Sequence, residues 1–185
     1  MTARPTHILR HEHRIIEQVL RAIEGMCFKL KTGENVPIEA LSQALEFVQN
    51  FADRFHHMRE EEFLFPALEQ AGFGREGGAL YFLQEEHLIE RELLVKLEFA
   101  VREYRYGDPD AASQFVEAAN QFCRHLVGHM QKEDNLLFRI AEEVISEESK
   151  TELMQHLLQK NGRYNEEGIL EYERLASSLE NAWAI

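Results

Sequence analysis

The chain has 185 residues, 44% of them hydrophobic, with four prolines and a formal net charge of -13. That is enough apolar material for one domain with a sizeable core, and the abundance of Leu, Glu, Ala, Gln and Lys favours an all-helical one. The negative charge weighs against a nucleic-acid backbone or an anionic membrane as partner, because both would be repelled.

Apolar residues recur from about Thr6 through Leu9, Ile16, Leu20 and Ile23 to Thr32-Gly33, which predicts a first helix. Pro37 opens a second through Leu41, Leu45, Val48, Ala52, Phe55 and Phe63, with a kink expected near Glu62 because Pro66 has no N–H to donate. That helix dissolves at Gly72 and Gly74. After Gly77-Gly78, the residues Leu80, Leu83, Leu94, Leu97 and Val101 mark a third, ending near Gly107. Asp108 and Pro109 read as N-cap and first-turn proline of a fourth, whose stripe runs through Phe115, Ala119, Phe122, Leu126, Leu136 and Ile140 to about Val144. Two weaker helices follow, from Ser146 to about Lys160 and from Asn165 to about Trp183, separated by Asn161-Gly162.

The fold class expected is all-α: an up-down-up-down four-helix bundle over about 6–144, with an appendage of C-terminal helices over about 147–183, in one domain. The appendage, with Tyr164, Tyr172, Leu175, Leu179 and Trp183, is expected to pack on the bundle, a homodimer surface being the alternative. Cys27 and Cys123 lie among apolar neighbours and read as reduced, buried thiols. No apolar targeting segment follows Met1 and no apolar run approaches a membrane span, so a cytoplasmic location is expected.

Placing the histidines on these stripes separates inward from outward ones. His13 continues the line of Leu9, Ile16 and Leu20, while His11 sits beside it. His56 follows Ala52 on the core line, with Glu60 one turn on; His57 aligns with Asp53 and Glu61 on a more polar face. His87 lies between Leu83 and Leu94, and His129 with Glu133 lies between Leu126 and Leu136. His125 falls one turn before His129. His7, His11, His57 and His156 are expected at the surface, and Glu17 and Glu61 as solvated or supporting groups.

A lone inward histidine is usually a hydrogen-bonded core residue. Four of them with two inward carboxylates would leave six polar groups to satisfy in an apolar core, at about 1–3 kcal/mol for each one unpaired. A metal site satisfies them together. The mixed nitrogen and oxygen set is too large for one tetrahedral zinc and too nitrogen-rich for magnesium or calcium; two iron ions fit better, with glutamates from opposite helices bridging and a position left open. The Glu-x-x-His spacing of ferritin-like di-iron proteins is absent.

Over about residues 7 to 144 the chain resembles the hemerythrin-like, or HHE cation-binding, family. The resemblance is carried by Arg10-His11-Glu12-His13, by His56 through Pro66 (HHMREEEFLFP), by Glu86-His87, and by His129 through Phe138 (HMQKEDNLLF). It implies a four-helix bundle around a non-haem, oxo- or hydroxo-bridged di-iron centre. His13, His56, His87 and His129 would be terminal ligands, with Glu60 and Glu133 as bridges. It also implies reversible interaction with dioxygen, nitric oxide or peroxide. The oxygen-carrying members place a second histidine four residues after the one in helix three, where this chain has Arg91. One nitrogen fewer is expected to leave one iron more open, favouring sensing, detoxification or iron handling over storage; Arg91 alternatively pairs with a core carboxylate facing it from the fourth helix. A di-iron redox enzyme and a metal-stabilised structural bundle are the competing readings.

Overall fold

The computed structural model describes residues 4–74, 78–159 and 164–185. Among them the chain forms six continuous helices and no strand. Helix α1 is Pro5–Lys31, with Pro5 in the first turn where its missing N–H is not needed, and the chain leaves it through Gly33 at φ 79°. Helix α2 spans 38–70 without a break, but its hydrogen bonding changes along its length. It is α-helical over Ile38–Phe47, π-helical over Val48–His57 and again over Glu60–Leu64, and α-helical over Phe65–Gln70. Pro66 is therefore accommodated rather than disruptive: it falls in the first turn of the last segment, directly after a wide turn.

Helix α3 is Ala79–Tyr106, closed by Gly107 in the left-handed region at φ 76°. Helix α4 spans 111–144 and includes one π-helical stretch, Glu133–Leu137. It starts later than Asp108-Pro109 suggested. The Asp108 carboxylate accepts the Asp110 backbone N–H at 2.8 Å, forming a turn ahead of the helix, and Asp110 takes the cap position. Helices α5 (Glu147–Leu158) and α6 (Glu166–Trp183) are capped by Ser146 and Asn165, which accept from the backbone N–H groups of Ser149 and Gly168. The expected Asn161-Gly162 break lies outside the described residues.

Helices α1 to α4 close a ring in which each packs on its neighbours. Helix α6 lies along α1 and also touches α2. Its Tyr172, Ala176 and Leu179 are buried in the main core, and the Tyr164 hydroxyl donates to the Asn50 carbonyl at 2.9 Å. These side chains are spent on the bundle rather than offered as a surface. Gly25 of α1 makes the docking possible, because a Cβ there would collide with the Trp183 backbone carbonyl. Cys27 and Cys123 are free and buried, and burial pushes the Cys27 thiol up to about 11.

The core is split into two apolar layers. One gathers residues such as Ile16, Phe51, Leu97, Phe122 and Leu126; the other gathers Leu9, Leu64, Phe65, Leu83, Leu137 and Phe138. Along each bundle helix, the inward polar residues lie between the two layers. Leu136, placed on the core line by regular helical spacing, is 54% exposed, and Leu137 at 1% takes its place. The wide turn at Glu133–Leu137 rotates the following residues by about one position.

Candidate metal centre

Between the apolar layers, α1 contributes His13, α2 contributes His56, His57 and Glu60, α3 contributes His87, and α4 contributes His129 and Glu133, all buried. Their donor atoms form two sets, each able to converge on one ion: His13, His56, Glu60 and Glu133 in the first, and His57, Glu60, His87 and His129 in the second. Glu60 belongs to both. Its Oε1 lies 3.7 Å from His56 Nε2 and its Oε2 lies 3.7 Å from His87 Nε2, so its two oxygens face opposite sets. Glu133 Oε2 lies 3.4 Å from His13 Nε2 and 3.3 Å from His129 Nε2.

His57 corrects the sequence reading. Regular helical spacing predicts a polar surface face for it, but it is only 2% exposed and belongs to the second set. The cause is the π-helical stretch that ends at His57: each turn there holds more residues than 3.6, so His56 and His57 both reach the interior. His11, by contrast, is exposed beside Glu173, and His13 takes the inward position on α1. His57 brings a further ring nitrogen to the second donor set. Arg91 faces α2, not α4: Nε donates to Asp53 and Nη2 to Glu61, each at 2.8 Å.

Four of the histidines are held by the same three-part device. His13 Nδ1 donates to Asp134 (3.1 Å), His56 Nδ1 to Glu12 (2.8 Å), His87 Nδ1 to Glu61 (2.7 Å) and His129 Nδ1 to Glu86 (3.0 Å). Each carboxylate is itself held by a cation: Asp134 by Arg10, Glu12 by Arg59, Glu61 by Arg91 and Glu86 by Lys132. Carboxylates accept and do not donate, so the ring proton sits on Nδ1 and the Nε2 lone pair points inward, the tautomer a metal ligand needs. Glu12 and Glu86 were missed as supports, although each stands directly before a ligand-candidate histidine. Glu90, also buried, accepts from His125 at 3.1 Å and faces His57 Nε2 at 3.4 Å.

The arrangement is strongly frustrated as a set of protein groups alone. His13 Nε2, His56 Nε2, both Glu60 oxygens and both Glu133 oxygens are buried without a hydrogen-bond partner. His87 and His129 bring their Nε2 atoms within 2.9 Å of each other. Burial and the facing Glu133 charge push the Glu60 carboxyl well above its usual range. Burial, then the charge of neighbouring histidines, holds His56 and His57 well below theirs. Burial also opposes charge on Glu133, but His129 and His13 outweigh it and hold that carboxyl low. The Glu86 carboxyl is brought down to about 2, chiefly by its hydrogen bond from His129. Cations among the inward donors would satisfy the unpartnered imidazole nitrogens and carboxylate oxygens, so the residues present fit a pair of metal ions.

Fold and site together define a helical bundle with two buried histidine–carboxylate clusters able to hold metal cations. The sequence model of the hemerythrin HHE cation-binding domain matches residues 4–141, and the chain belongs to that family. Among curated proteins it is similar to the uncharacterized protein Rv1995 of Mycobacterium tuberculosis and the uncharacterized protein Mb2018 of Mycobacterium bovis. Each is 24% identical over 138 residues, covering 75% of this chain and 53% of the relative. The chain thus spans about half the length of the curated relatives it matches. No solved structure gives a significant match. Among the described residues, no helix is long and apolar enough to cross a membrane.

Proposed function

We propose that the chain is a non-haem di-iron protein that interacts with dioxygen or a related small molecule, such as nitric oxide or peroxide, in a sensing, stress-response or iron-handling role. The observation that carries this reading is the sharing of Glu60 between two converging, buried donor sets. His13, His56 and Glu133 would hold one iron with Glu60; His57, His87 and His129 would hold the other. Imidazole and carboxylate without thiolate suit iron, and two sharing sets are more than a structural zinc requires. Iron held there would supply redox chemistry and Lewis acidity toward the small molecule.

The chain's own residues set the conditions for that chemistry. The His13 set offers two nitrogens and two carboxylates, and the His57 set three nitrogens and one carboxylate. Phe138 stacks on the His13 ring with centroids 5.3 Å apart, and Phe65 on His87 at 5.7 Å, which closes the centre to bulk water. The carboxylate–cation supports of His13, His56, His87 and His129 favour the Nε2-presenting tautomer and raise the basicity of those imidazoles.

The test is anaerobic reconstitution with ferrous iron, followed by optical spectra before and after air or nitric oxide. Near-ultraviolet charge-transfer absorption that appears on exposure supports the reading. Protein that loads iron but gives no spectral response to either gas contradicts it, and retention of zinc alone would make the centre structural.

A further inference from the structure

Helix α3 turns His87 toward the centre and carries an apolar stripe on its opposite, outward side. Tyr81, Leu88, Val95, Phe99 and Tyr106 are all exposed, Val95 by 65% and Tyr106 by 79%. Exposed Glu85, Glu92 and Arg102 fill the gaps between them. Together these positions recur at alternating intervals of four and three residues along the whole helix, the repeat of a coiled-coil seam. An ordinary surface helix would place polar residues there.

The charge on this face differs from that of the chain. A net charge of -13 opposes self-association, yet the outward side of α3 is balanced, with Glu85, Glu92 and Glu98 against Lys96, Arg102 and Arg105. The two glutamates of the seam precede Val95 and its arginine follows it. An antiparallel copy of the same helix therefore meets each acidic half with a basic one.

We propose that this face is a homodimer seam, in which α3 packs antiparallel on α3 of a second copy about a two-fold axis between Glu92 and Val95. In that register Tyr81 meets Tyr106 of the second copy, Leu88 meets Phe99, and Glu85 meets Arg102. Glu92 meets Val95 and reaches the neighbouring Lys96, and on the flank Phe82 meets Arg105, a cation–π pairing. The contact is isologous, with every pair made twice. The Val95–Phe99 ridge stands between two grooves that can take the second copy's side chains. One, of about 580 Å³, lies toward Leu45 and Gln49 of α2; the other, of about 540 Å³, lies toward Gln114 and Gln121 of α4. An unrelated helix would have no reason to match this chain's own charge order; a second copy matches it by symmetry. The proposal does not depend on which metal the centre holds.

The test is sedimentation velocity on the full chain between about 1 and 100 µM, with helicity followed by circular dichroism. The expected species is a dimer, and Phe99→Glu should raise its dissociation constant at least about tenfold with helicity unchanged. Glu85→Arg alone should weaken it and Glu85→Arg combined with Arg102→Glu should restore it, because the swap rebuilds the ion pair across the axis. Glu85→Cys with Arg102→Cys should crosslink between chains under mild oxidation, since within one helix the two positions are about 25 Å apart. A monomer at every concentration overturns the proposal. So does a dimer indifferent to Phe99→Glu, or crosslinking by Glu85→Cys alone, which would mean another register.

Discussion

Helices α1 and α3 each give the centre one imidazole and remain regular, whereas α2 and α4 give several donors each and widen where they do so. His56 and His57 close the π-helical stretch of α2, and the two inward carboxylates, Glu60 and Glu133, are each the first residue of a five-residue π segment. A regular helix brings one residue in about every three or four to a given face. Presenting His56, His57 and Glu60 to one interior point requires a wider turn, and the chain accepts the poorer hydrogen bonding of that turn where a ligand cluster gains from it.

The largest expected effect concerns the shared donor. Glu60→Ala should abolish two-cation loading, because both donor sets lose a member; retention of two irons per chain, measured by elemental analysis, would break the comparison at its root. Next, His57→Ala should leave the His13 set loaded and weaken the other, so that iron titration by calorimetry changes from two ions to one tightly held ion. Two unchanged binding steps would mean that the widened turn serves packing alone.

The register shift in α4 gives a prediction free of metal chemistry. Leu137→Ala should cost about 2–5 kcal/mol in denaturant unfolding, as for a large-to-small change in a packed core. Leu136→Ala should stay within about 0.5 kcal/mol, as for a surface change. Reversed magnitudes would restore the regular helical register. The smallest effect concerns the supports: Glu86→Gln should lower iron affinity about 10- to 100-fold by loosening His129. The neighbouring Glu85→Gln, on the outward face, should leave it unchanged in competition with a chelator.

The same comparison explains what could be read from the residues alone. On α1 and α3 the apolar stripe follows the ordinary period, so His13 and His87 fall on it and both are inward. Helix boundaries marked by caps, such as Ser146 and Asn165, were legible for the same reason, since the signal is local. On α2 and α4 the period changes within the helix. The spacing that serves elsewhere therefore misplaces His57 and Leu136, and no local residue announces a π turn. The supports were partly hidden for another reason. Glu12 and Glu86 lie beside histidines in sequence but serve histidines on other helices, His56 and His129, so their role exists only once the bundle is assembled.

The most direct measurement is the metal content of anaerobically purified protein, by elemental analysis of the wild-type chain beside Glu60→Ala. The account predicts two irons per wild-type chain and loss of that stoichiometry in the variant. One ion per chain in both, or zinc in place of iron with Glu60 dispensable, would contradict a centre built on a shared carboxylate.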